Sequence, residues 1–102
     1  MKAKLIVPNC DRDHVSPIIA YGPTMAEIAG GFTATRGFGG WIDGQGCLLT
    51  EPVTVFDLFI SDKIDRFWAK DKLTALAQKV ARDLGQECVY LEIDGDASFI
   101  EK

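Results

Sequence analysis

Trp41 and Glu51 stand ten residues apart in GGFTATRGFGGWIDGQGCLLTEPVTVFDLFI, residues 30–60, a stretch that holds most of the chain's ten glycines. An indole can wall a planar or cationic ligand, and a carboxylate just before Pro52 can take a proton, bind a cation or receive an amine. Arg36 in the same stretch can face an anionic group. Glu87, after Gln86, opens an alternating run, and Glu51 and Glu87 could share a proton if neighbouring strands carry them. A strand with few side chains leaves room above its sheet, so Arg36, Trp41, Glu51, Gln86 and Glu87 form the expected site for a small-molecule ligand. The plainer alternative is a set of glycines that bend a hairpin and glutamates that are simply solvated.

Other chemistries fit less well. Gly37-Phe38-Gly39-Gly40 lacks the later glycine of a dinucleotide fingerprint, since Ile42 stands there, and no Lys follows Gly44 as a phosphate-binding loop requires. Asp11-Arg12-Asp13-His14 has ligand-type residues but no metal-binding spacing, and its imidazole is the chain's one His. Cys10, Cys47 and Cys88 are odd in number and widely spaced, which suits buried reduced thiols better than a disulfide framework or a zinc site. No Ser, His and Asp arrangement is present, so no catalytic residue, metal or cofactor is assigned.

The elements that must position these groups follow from periodicity. Lys2 to Val7 alternates and is closed by Pro8, as in a strand. Residues 9–23 read as irregular, because Gly22-Pro23 would break any helix opened at Ser16-Pro17. Thr24 to Glu27 matches a capping box, so a short helix is expected to follow and to end at Gly30-Gly31. Phe32 to Ile42 and Cys47 to Ile60 read as two strands of a hairpin turned by Asp43-Gly44-Gln45-Gly46, with a bend or an edge position at Pro52. Leu73, Leu76, Ala77, Val80 and Leu84 make one apolar stripe on a helix that Gly85 ends. Ile64, Phe67 and Trp68 fall out of phase with that stripe, so the helix either breaks near Lys70-Asp71 or turns this group toward a partner or a pocket. Glu87 to Ile93 is a last strand, ended by Gly95.

The order β, α, β, β, α, β predicts a single α+β domain over residues 1–102. It is the order of a ferredoxin-like four-stranded antiparallel sheet with two helices on one face. The bare face predicts a homo-oligomer, a dimer or trimer, with Asp57, Ile64, Phe67 and Trp68 at the interface. Asp57 interrupts an apolar run, either against a partner or where that face meets water. A formal charge of -4 without a basic cluster argues against nucleic acid. No stretch approaches the length of a membrane span or a signal-peptide core, so a cytoplasmic location is expected.

GGFTATRGFGGWIDGQG, EPVTVFDLFI and LGQECVYLEI together resemble a diffuse group of small proteins common on phages, plasmids and other mobile elements. Its marks are a GG-T, G-G-W-D, E-P-V hairpin and a closing G-Q-E-x-V strand. The resemblance implies a ferredoxin-like fold and no assigned reaction, and it singles out Gly31, Thr33, Gly37, Gly40, Trp41, Glu51, Gln86 and Glu87. Three readings follow. The first is a non-enzymatic oligomeric module that binds a ligand or protein, by fold analogy with the PII-like regulators. The second is a small enzyme of the dimeric α+β barrel type with Glu51 or Glu87 as acid or base. The third is a structural or counter-defence protein of a mobile element.

Overall fold

The computed structural model describes residues 1–8 and 16–102. Cys10 and the Asp11–His14 cluster lie outside the described residues. Seven elements follow in chain order: β1 (Lys2–Pro8), α1 (Pro17–Ala29), β2 (Thr33–Ile42), β3 (Leu48–Phe59), α2 (Arg66–Asp83), β4 (Cys88–Ile93) and β5 (Asp96–Glu101). The strands form one sheet in the order β2-β3-β1-β4-β5, with every pairing antiparallel. The α+β class is as expected, but the sheet has five strands rather than four. The fifth follows from Asp94-Gly95, whose backbones both take positive φ, 48° and 88°. Two such residues build the tight turn whose twist suits a hairpin, so the chain reverses there instead of ending.

Alternation decides which side of the sheet is buried. Ala3, Leu5 and Val7 of β1, Phe56 and Leu58 of β3, and Val89 and Leu91 of β4 join Tyr21, Met25 and Ile28 of α1 and Leu73, Leu76, Ala77 and Val80 of α2 in one core cluster. Both helices therefore cover the same face. Phe56 is fully buried at its centre, with Phe32 edge-on to its ring at 5.5 Å between centroids.

The first helix differs from its sequence reading. α1 begins seven residues before Thr24, capped by Ser16, whose Oγ accepts from the Ile18 amide at 3.2 Å, with Pro17 at the first helical position. Thr24 is thus mid-helix and caps nothing. Pro23 does not break the helix because it lies on the exposed side, where a carbonyl left without an amide partner meets water. Gly22 is buried instead of marking a turn. A Cβ there would approach Phe32 Cζ to 2.9 Å, so the glycine lets that ring lie against α1.

The second helix runs unbroken through Lys70-Asp71, from its N-cap Asp65, whose Oδ1 accepts from the Trp68 amide at 2.9 Å. The phase conflict vanishes because Ile64 precedes the helix and packs on the core from the turn. At the far end the Gly85 amide donates to Arg82 and the Gln86 amide to Ala81, with Gly85 left-handed at φ 64°, the double closure of a Schellman motif. The two helices are joined by Asp83, which accepts from Lys79 Nζ at 2.7 Å and from Tyr21 Oη at 3.1 Å.

Phe56→Ala should cost about 3–5 kcal/mol in a denaturant titration, because the ring is enclosed on all sides. The lysine and tyrosine donors hold the Asp83 carboxyl below its ordinary 3.8. Its contribution is thus present above that value and lost as pH falls through the lower native one. Wild type should melt above Asp83→Asn at neutral pH, and the two curves should converge in acid.

Candidate functional site

β2 and β3 pair over their full lengths, from Thr33↔Asp57 to Ile42↔Leu48. β1 flanks β3 only between Phe59 and Val53, where Pro8 makes its last pairing. The distal half of the hairpin, Phe38–Ile42 and Leu48–Pro52, therefore projects as a two-stranded arm with no described strand beside it. Pro52 sits at the base of this arm, so a residue without an amide proton falls where β1 no longer needs one, and β3 stays in one piece. The arm's loop is closed by Asp43, whose Oδ1 accepts from the amides of Gln45 and Cys47, both at 2.9 Å. Gly46 supplies the positive φ, 80°, that the loop needs.

Trp41 pairs with Leu49 and Gly39 with Glu51, so Trp41 and Glu51 are diagonal neighbours on one face of the arm. Such neighbours lie about 7–8 Å apart at the backbone, within reach of long side chains. This is the face away from the helices, where Lys2, Lys4 and Ile6 also lie. Gly37 and Gly39 continue it toward the body of the sheet, where the buried Val53 side chain lies beside both: a Cβ at 37 would meet it at 3.8 Å and one at 39 at 3.4 Å. Glu51 is half-buried and makes no hydrogen bond or ion pair among the described residues. This face of the arm thus offers an aromatic plane and a free carboxylate within one short span.

The other expected members stand elsewhere. Arg36 is five residues from Trp41, an odd spacing that turns it to the helix side, opposite Thr54. Glu51 and Glu87 are not on neighbouring strands, because β1 lies between β3 and β4. That insertion sets their strands about 10 Å apart. Glu87 is exposed and its carbonyl accepts from the Lys102 amide, while Gln86 is held in the closure of α2. Among the sequence-predicted site residues, the structure brings together Trp41 and Glu51.

The interface candidates separate in the same way. Ile64 is partly buried and packs against the core, Phe67 is exposed on α2, and Trp68 lines a cleft of about 430 Å³ between the helices with Thr24, Ile28 and Leu76. Asp57 faces the open side of the sheet, in a row Asp57, Lys4, Glu92 across β3, β1 and β4. This row borders a cleft of about 330 Å³ with Lys2, Asp94 and Gly95. Asp94 anchors its rim. It accepts from the Lys2 amide at 2.8 Å and pairs with Arg66 at 2.9 Å, and these contacts, the backbone one first, lower its pKa. Sequence reading missed this row because only the register brings Lys4 between two acids. The thiols differ too. Cys47 is exposed beside the arm's tip and Cys88 is half-buried, so neither described cysteine is a core residue. Among the described residues no three metal-ligating side chains gather, and no helix is long and apolar enough to cross a membrane.

No family model matches the chain, and no curated protein matches it. Two solved structures do. A phage SAM lyase in complex with S-methyl-5'-thioadenosine aligns over 99% of this chain and 88% of its own, with TM-score 0.69 and 18% identity. A phage SAM lyase in the apo state gives the same coverage and identity with TM-score 0.67. At this identity the likeness establishes a shared fold.

Because Trp41 and Glu51 stand on an arm away from the core, Trp41→Ala and Glu51→Gln should each change the unfolding free energy by less than about 0.5 kcal/mol. Chemical denaturation checks this directly, and a larger loss would assign the two residues to folding.

Proposed function

We propose that this chain is a phage-related enzyme of the SAM lyase type, which binds an S-adenosyl sulfonium compound against Trp41 and Glu51 and releases S-methyl-5'-thioadenosine. The carrying observation is the pairing of an aromatic plane with an unpartnered carboxylate on one face of the arm. The fold likeness over nearly the whole chain supports the substrate class. Such a compound carries a purine, a sulfonium and an ammonium. An indole can stack on the first or face a cation, and a carboxylate can hold the ammonium.

Cleavage breaks the bond between sulfur and the amino-acid arm, and both electrons pass to sulfur, which leaves as a neutral thioether. The carbon left behind is satisfied by the fragment's own carboxylate oxygen, which closes a ring, or by loss of a neighbouring proton to Glu51. In the first route Glu51 orients the ammonium so that the carboxylate approaches the carbon from behind. In the second it is the base. The first six elements are read as a ferredoxin-like unit carrying an added edge strand. The resemblance to mobile-element proteins joins this reading, supported by the phage origin of both similar structures.

A non-enzymatic ligand-binding module is the second reading. It is favoured by one fact: of the two acids considered for chemistry, only Glu51 stands beside Trp41. One experiment separates the two. Chromatography of purified protein with S-adenosylmethionine should reveal S-methyl-5'-thioadenosine, and Glu51→Gln should slow its release at least a hundredfold. Trp41→Ala should weaken calorimetric binding of S-methyl-5'-thioadenosine about tenfold or more, the loss expected for a base stacked on an aromatic ring. Binding without turnover would support the second reading, and neither binding nor turnover would overturn both.

A further inference from the structure

We infer that the cleft between the two helices is a second binding site, built for a planar aromatic zwitterion of the aromatic amino acid class. It uses none of the residues of the Trp41 and Glu51 reading and stands apart from it. Its first ground is shape. At about 430 Å³ the cleft falls within the roughly 300–1,000 Å³ of small-molecule sites. Ile28 of α1 and Leu76 of α2, both buried, give it an apolar floor, and Trp68, 44% exposed, gives one wall an aromatic plane that reaches the water. Trp68, Lys72, Leu76 and Lys79 recur at helical spacing and form one stripe of α2, while Thr24, Glu27 and Ile28 form the stripe of α1 that meets it.

The second ground is charge. The Lys79 ammonium is already satisfied, because it pairs with Asp83 at 2.7 Å and lies over the Tyr21 ring. Lys72 on α2 and Glu27 on α1 are not: neither side chain forms an ion pair or hydrogen bond among the described residues, with the other or with a neighbour. The cleft thus carries an unpaired cation on one wall and an unpaired anion on the other. Such an arrangement selects a ligand that brings both signs, a carboxylate for Lys72 and an ammonium for Glu27, with its ring against Trp68 over Ile28 and Leu76. An apolar occupant would strip water from both charges and replace it at neither. The third ground is rigidity. Asp83 accepts from Tyr21 and from Lys79 and so ties α1 to α2, and the Asp65 cap fixes the turn that carries Trp68, so the walls stand in place before a ligand arrives.

Calorimetry of the purified full chain with L-tryptophan as the probe should show saturable binding. Tryptamine, which lacks the carboxylate, and indole-3-propionate, which lacks the ammonium, should each bind about fivefold more weakly, the loss of one exposed ion pair. Lys72→Gln should weaken L-tryptophan by the same factor and leave tryptamine unchanged, and Glu27→Gln should weaken L-tryptophan and leave indole-3-propionate unchanged. Trp68→Ala should cost about tenfold, as for a ring that loses its stacking partner. Trp41→Ala should bind L-tryptophan as wild type does, which separates this site from the one proposed above. No saturable binding of L-tryptophan to wild type overturns the inference, and so does an analogue with one charge that binds wild type as tightly; both readings hold even if a variant fails to fold. A loss that follows Trp41→Ala instead of Trp68→Ala overturns it by moving the ligand to the arm.

Discussion

The structure turns on a mismatch of strand lengths. β3 has twelve residues and β1, its neighbour on the other side from β2, has seven. Where the two run together, each residue of β3 has hydrogen-bonded neighbours on both sides and every second one lies under a helix. Past Pro8 the same strand has a single described neighbour and no place in the core. One strand thus serves two environments. Its body supplies Phe56 and Leu58 to the interior, and its outer half carries Glu51 on a projecting ribbon.

That division explains why the glycines matter without forming a phosphate loop. Gly37, at the base of the arm, and Gly39, on it, leave room for the buried Val53 side chain to lie against β2 next to Glu51. Loop strain is not needed to hold the site. The pairing register alone sets the indole and the carboxylate on one face, and a slip of one residue between β2 and β3 would put them on opposite faces. The central placement of β1 likewise fixes what the site excludes, since it keeps Glu87 two strands away from Glu51.

Much of this could be read from local pattern. The alternation of Lys2 to Val7, the Asp43–Gly46 loop, the apolar stripe of α2 and its glycine stop each depend on nearby residues, and each is found as expected. Failures arose where distant contacts override local signals. Gly22-Pro23 looks like a helix break until Phe32 is seen to occupy the space over Gly22 and the exposed side of Pro23 is known. Ile64 looks misphased until the turn before Asp65 is placed. Gly95 reads in the sequence as the end of the last strand, because the strand it turns into, β5, is short, polar and mostly exposed and shows no apolar face of its own. The separation of Arg36 from Trp41 follows from simple alternation. The position of Glu87 required the sheet order, which no single segment encodes.

The central claim is that the indole at 41 forms part of the wall of a binding site for an S-adenosyl compound. With Trp68 replaced by phenylalanine, Trp41 is the chain's one remaining indole. Titrating that protein with S-methyl-5'-thioadenosine should change its intrinsic fluorescence saturably, at the concentrations at which calorimetry registers binding. Heat of binding with no change in Trp41 emission would place the ligand elsewhere and contradict the account.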